Sequence, residues 1–121
     1  MAMNREILYA HGIDVEKGVS RCMGDAAFYE RLLNLFLQDA SFRRGEAAYA
    51  AKDYKALFSC MHELKGVAGS AAMNDLYDAV CPLVETLRRG DAQDAQIDRL
   101  FPVVESAYER VCEGVALSIQ V

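Results

Sequence analysis

Two histidines stand in this 121-residue sequence, and one of them, His62, has neighbours whose types and spacing could do chemistry. Leu57, Met61, Leu64 and Ala68 recur at the i, i+4, i+7 and i+11 steps of a buried helix stripe. At ~100° per residue, His62 points roughly 140° away from the middle of that stripe, so its imidazole faces outward and is free to react. Lys55, Phe58, Gly66 and Gly69 share that side of the helix, with Lys65 toward its flank. Each glycine within a helix costs about 0.5–1 kcal/mol relative to alanine. Gly66 falls one turn after His62, where a side chain would crowd the imidazole, and Lys65 can swing its ammonium toward whatever meets His62. The set supplies a nucleophile, a cation for an anionic group and cleared space; the natural anion is a phosphoryl group. Spacing alone leaves a plainer reading open, because an exposed histidine can be simply solvated and two close glycines can mark a fraying helix end.

A helix with one apolar stripe needs other elements to bury it. Asp53 is placed to cap the His62 helix, with Tyr54, Cys60 and Val67 flanking the stripe. Upstream, Asp14 can cap a short first helix with Val15, Val19 and Cys22 on one face and Gly24 at its end. Asp25 starts a second, whose apolar face is read as Phe28, Leu32, Leu35 and Phe36, to about Asp39. Ser41 to Ala51 is rich in alanine and reads as a helix kinked at Gly45. Downstream, Asn74 can cap a helix carrying Leu76, Val80, Leu83 and Leu87, bent by Pro82 and closed by Gly90. The last runs from about Ala92 to Glu113, with Ile97, Phe101, Val104, Tyr108 and Val111 inward and Pro102 as another bend. Arg88, Arg89, Asp91 and Asp94 read as a helix end, a turn and a start rather than a binding patch.

Strand alternation, Asn-Gly and Asp-Gly hairpin turns and a fixed internal repeat are all missing. The expected fold is therefore all-α: an antiparallel, up-down four-helix bundle over residues 25–113 with a short additional N-terminal helix. Residues 1–12 are expected to be an N-terminal lead-in, with His11 in a solvated connection, and the whole chain one domain. Met1-Ala2 could be a cloning remnant ahead of a native Met3.

Thirteen basic against 18 acidic residues leave a net charge of −5, which disfavours nucleic acid, since phosphate backbones need clustered Lys and Arg. No apolar run reaches the ~18–20 residues of a membrane span, and the N-terminus lacks the basic and apolar regions of a signal peptide, so a cytoplasmic protein is expected. Cys22, Cys60, Cys81 and Cys112 form no Cys-x-x-Cys pair; reduced thiols are expected, although the even count leaves disulfides open. A metal-dependent hydrolase built on His62 and His11 fits poorly, because no Glu-x-x-His pair occurs. Nor does the chain carry a Gly-x-x-x-x-Gly-Lys-Ser/Thr loop, so it is not expected to phosphorylate itself from ATP.

The segment His62-Glu63-Leu64-Lys65-Gly66-Val67-Ala68-Gly69-Ser70 resembles the central motif of histidine-containing phosphotransfer (HPt) domains, His-x-Leu-Lys-Gly followed by small residues. Gly12-Ile13-Asp14, Gly18, Arg21 and Gly24-Asp25 resemble the family's N-terminal part. Phe36 and Asp53 sit where it has a helix core and the next helix start, and Leu76, Leu83, Leu87 and Gly90 fit its fourth helix. Specific motifs thus extend over about Ile13 to Gly90, and the rest matches by helical pattern only. Two departures stand out: Met61 replaces the alanine that commonly precedes the family's histidine, and Ala72 stands near a position often held by glycine. Met61 belongs to the inward stripe, so it is expected to alter packing more than chemistry.

The resemblance implies a phosphorelay intermediate. His62 would take a phosphoryl group from an aspartyl phosphate on one receiver domain, with Nε2 the expected attacking atom, and pass it to an aspartate on another. Lys65 would screen the phosphoryl oxygens and Gly66 would permit close approach. Histidine's ordinary pKa, about 6.5, leaves imidazoles largely neutral near neutral pH, so no separate activating base is called for. Implied partners are receiver domains of response regulators or of a hybrid sensor histidine kinase, docking on Lys55, Phe58 and Gly69; for Phe58, partial burial at the helix edge is an equal alternative. The chain itself would bind no cofactor, Mg²⁺ being supplied at the receiver, and would act as a monomer. The rival is a non-catalytic helical module that binds a response regulator or other partner without transfer; those helix-interior glycines would bring it no advantage.

Overall fold

The computed structural model describes residues 3–119, which form seven helices: α1 (Arg5–Ala10), α2 (Val15–Arg21), α3 (Ala26–Phe36), α4 (Ser41–Ala50), α5 (Tyr54–Ser70), α6 (Asn74–Arg88) and α7 (Asp94–Ser118). Met1 and Ala2 lie outside the described residues, and with them the question of a cloning remnant. Among the described residues there is no strand, so the fold is all-α as expected. The bundle consists of α4 to α7. Short connections turn α4 back onto α5, α5 onto α6 and α6 onto α7. The ring is closed by aromatic packing of α7 on α4, with Phe42 stacked on Tyr108 at 4.1 Å and on Phe101 at 5.9 Å, and Tyr49 on Phe101 at 4.2 Å.

Local signals set most helix starts. Asp14, Asp25 and Asp53 each accept a hydrogen bond from the backbone N–H three residues on, at 3.0–3.1 Å. The Asn74 cap is not found: Met73 occupies that position without a side-chain cap, and Asn74 is the first helical residue. Both Pro82 and Pro102 lie inside continuous helices on exposed positions, where the carbonyl each leaves without a helical donor can turn to water. The last helix runs past Glu113 to Ser118, because Val115 and Ser118 are buried as well.

Three further expectations are corrected. The lead-in is partly helical, since α1 buries Leu8 and docks on α7, and two short helices, α1 and α2, precede α3 instead of one. His11 is not a solvated connection; its side chain is only 19% exposed. Its Nδ1–H donates to the Ile7 carbonyl at 2.7 Å, and its Nε2 lies 3.9 Å from Glu113 on α7. Gly114 leaves the space in which the ring packs, for a Cβ there would lie 2.4 Å from His11 Cβ. Finally, α3 is rotated from its expected phase: Tyr29, Leu33 and Phe36 are buried, whereas Phe28 and Leu35 are 43% and 60% exposed. Tyr29 decides the rotation, since its ring fills the space over Gly18 and its hydroxyl donates to the Ala71 carbonyl at 2.5 Å.

Gly45 does not kink α4; it lets α4 approach α5. A Cβ at Gly45 would lie 2.5 Å from Met61 Cε and 3.3 Å from Cys60 Cβ, so the large, fully buried Met61 occupies the room that Gly45 leaves. The departure at Met61 is therefore matched by a glycine on the facing helix. Gly45→Ala is expected to be more favourable by about 1 kcal/mol in a Met61→Ala background than in the wild type. Urea unfolding of the four proteins measures this coupling, and additive effects would refute it.

At the α6–α7 end, Lys52 donates to Asp94 at 2.9 Å and the Tyr54 hydroxyl donates to it at 2.7 Å, while the Tyr49 hydroxyl donates to Asp98 at 2.7 Å. The Lys52 ammonium, then the Tyr54 hydroxyl, hold the Asp94 carboxyl below the usual carboxylate range, and the same contact pushes Tyr54 up to about 12. With a lowered folded value, Asp94 contributes stability above its ordinary pKa of about 3.9 and loses it as pH falls through the lowered value. The Tyr54 contribution, with a raised value, is whole below about pH 10 and lost as pH rises through about 12. The Tm difference between wild type and Asp94→Asn should accordingly be flat through neutral pH and close in acid. A gap that persists once Asp94 is protonated would contradict this.

Candidate functional site

The rotation of α5 is set by Leu57, Cys60, Met61, Leu64 and Ala68, all buried against α4 and α6. His62 is exposed on the opposite side, as its phase requires. Its ring stacks on Phe58, one turn earlier, at a centroid distance of 5.9 Å and an interplanar angle of 19°. The adjoining Glu63 is engaged elsewhere, accepting from Arg44 Nη2 on α4 at 3.0 and 2.9 Å. Lys65 is half-buried, with its ammonium 6.0 Å from the centroid of the Tyr77 ring on α6. Among the described residues no carboxylate lies within 4 Å of Lys65 or Lys55. Both ammonium groups are therefore available to an anion.

The two glycines of the motif differ. A Cβ on Gly69 would meet Tyr77 Cε1 at 3.2 Å, so Gly69 allows α6 to approach α5. A Cβ on Gly66 would meet nothing within 4 Å. Packing within the chain gives no reason for glycine there, although a glycine inside a helix destabilises it. Gly66→Ala is thus expected to stabilise the protein by about 0.5–1 kcal/mol in urea unfolding. A destabilised variant would mean that the glycine serves the fold.

Of the residues singled out in the sequence, His62, Phe58 and Gly66 form one contiguous surface on α5, with Lys65 at its α6 flank. Lys55 is exposed two turns before His62 and lines a cleft of 610 Å³ with Tyr54, Phe58, Leu87 and Arg88. Gly69 faces another, of 490 Å³, with Lys17, Arg21 and Tyr77. Arg21 donates to the Gly69 carbonyl from α2. Near Gly69, Ala72 adopts a left-handed φ of +56°, the conformation that glycine takes without strain. The Ala72 carbonyl accepts from the Asp14 N–H at 2.9 Å and so joins the α5–α6 turn to α2.

Two parts of this surface were not found in the sequence. On one side of α5, Leu32 and Leu35 of α3 line a groove of 480 Å³ with Glu63, Gly66 and Val67. Exposed Phe28, one turn before Leu32 on the same face of α3, extends its apolar character. The available signal was an excess: between Phe28 and Leu37, α3 and its end carry more apolar residues than one buried stripe uses. On the other side, the guanidinium of Arg88 lies 5.4 Å from the centroid of the Phe58 ring. Arg88 does end α6, as expected, and it also reaches the His62 face.

The Hpt domain family model matches residues 31–114, from within α3 to near the end of α7. The chain belongs to this family, whose members serve histidine phosphotransfer in phosphorelay signalling and generally interact with receiver domains. Among curated proteins and solved structures, none matches the chain significantly. All four cysteines are free, and among the described residues no group of three or more His, Cys, Asp or Glu side chains is arranged to hold a metal. Among them, too, no helix is long and apolar enough to cross a membrane.

Proposed function

We propose that the protein is a phosphorelay intermediate in which His62 carries the phosphoryl group between two receiver domains. The observation that carries this reading is Gly66: open space one helical turn from an exposed histidine, at a position where no neighbouring atom calls for glycine. An imidazole nitrogen of His62, with Nε2 the favoured atom, attacks the phosphorus of an aspartyl phosphate. A P–N bond forms as the P–O bond to the aspartate breaks, and the carboxylate leaves. The second transfer reverses these steps on another receiver. Lys65 leaves the Tyr77 ring to meet the phosphoryl oxygens, and Gly66 lets the receiver's reacting edge come close. Mg²⁺ belongs to the receiver in this scheme, in keeping with Glu63, the carboxylate adjoining His62, being paired with Arg44.

The partners are receiver domains of response regulators or of a hybrid sensor histidine kinase. They dock on the His62 surface through Lys55, Phe58 and Gly69 and on the apolar groove where α3 exposes Leu35. The protein works in the cytoplasm as a monomer.

Incubation with phosphorylated receiver domains and Mg²⁺ tests the proposal. Wild type should acquire acid-labile, alkali-stable label and His62→Gln none, and Gly66→Leu should transfer far more slowly with its helix content intact. Equal labelling of wild type and His62→Gln, or no labelling by any receiver of the same cell, would instead favour a module that binds without transfer.

A further inference from the structure

His62 is exposed, and an exposed side chain ordinarily samples several rotamers, so a reacting partner must first order it. Here one side of the imidazole is already occupied. Helical side chains lean toward the N-terminus and cover the preceding turn, which brings the His62 ring over Phe58 and away from Gly66. The two rings are offset-stacked at 5.9 Å, within the range of favourable aromatic contacts. The other neighbouring turn, at Gly66, is open. The imidazole is thus backed on its N-terminal side and free on its C-terminal side.

Phe58 is itself held from a different helix. The Arg88 guanidinium lies over its ring at 5.4 Å, a cation–π distance, and Arg88 Nε donates to Glu85 at 3.2 Å. A row of contacts therefore runs from Glu85 and Arg88 on α6, through Phe58, to His62 on α5.

Resting on the reading of His62 as phosphoryl acceptor, we propose that Phe58 is a positioning residue, kept in place by Arg88, which presets the imidazole against the preceding turn and leaves its side toward Gly66 open to the donor. Part of the ordering of His62 is complete before any donor arrives. The effect acts on His62 itself, and so applies equally to a receiver and to a donor too small to use a docking surface.

Phosphoramidate is such a donor: its phosphoryl group passes to the imidazole as a P–N bond forms, the P–NH₂ bond breaks and ammonia leaves. Phe58→Leu, which keeps the apolar contact and removes the ring, should slow labelling by phosphoramidate and by a phosphorylated receiver alike, by about fivefold. Phe58→Tyr should recover most of that loss. Arg88→Ala should give a smaller reduction, about twofold, which Arg88→Lys partly restores. In proton NMR, the His62 ring resonances should carry an aromatic ring-current shift in the wild type and Phe58→Tyr that disappears in Phe58→Leu. An unchanged phosphoramidate rate in Phe58→Leu would overturn the proposal, even where the receiver rate falls, since Phe58 would then serve docking alone. Unchanged His62 resonances in Phe58→Leu would overturn it as well. Failure of the relay reading has a different signature, the absence of His62-dependent labelling of the wild type by phosphorylated receivers.

Discussion

Burial of one stripe of α5 governs the rest of the molecule. Leu57, Met61, Leu64 and Ala68 are each fully shielded between α4 and α6. Turning α5 by a single residue position, about 100°, would move those side chains out of the core and sacrifice something like 1.5–3 kcal/mol for each large one. The outward direction of His62 is therefore not a local preference of an exposed side chain; it is enforced by apolar area on the other side of the same helix. The Gly45–Met61 fit and the aromatic closure of α7 on α4 act on this one rotation, because each fixes how a neighbouring helix sits against the stripe.

The surface around His62 then has two unequal borders. Toward α3 it is apolar, with Leu32, Leu35 and Gly66 along an open groove. Toward α6 it is aromatic and cationic, with Phe58 beneath Arg88 and Lys65 beside Tyr77. The net charge of −5 describes the whole chain and conceals this division. In the proposed function, the basic side chains nearest His62 attract an acidic phosphoryl donor despite the acidic excess of the chain, and such steering weakens as salt rises.

The α5 stripe was legible in the sequence because everything needed to read it lies within twelve residues and a single apolar series is present. The phase of α3 was not, since Phe28, Leu32 and Leu35 compete with Tyr29, Leu33 and Phe36 for the buried side. The choice is made by the contact of Tyr29 with Gly18 and Ala71, which no local pattern contains. The helix α1 escaped for a related reason. Six residues are too few to be helical on propensity alone, and α1 depends on Leu8 and on the packing of His11 against Gly114, a hundred residues away. Arg88 looked like an ordinary helix end because its approach to Phe58 depends on the register between α5 and α6. The shared outward placement of His62 and Gly66, with Lys65 at the flank, was thus readable, whereas the side chains that surround them were set by tertiary packing.

The division of these roles among helices has a consequence for how such a protein can change. His62, Lys65 and Gly66 occupy little more than one turn of a single helix, so the set proposed to react stays assembled whenever α5 is helical and correctly rotated. The borders come from α3 and α6, whose exposed residues contribute little to the core. In the proposed function, substitutions at Leu35 can thus drift and re-specify which partner is accepted without disturbing that turn, whereas Tyr77, which touches Lys65 and faces Gly69, is less free to change. On that proposal, a duplicated copy acquires a new pathway through its flanks alone, its chemistry inherited intact.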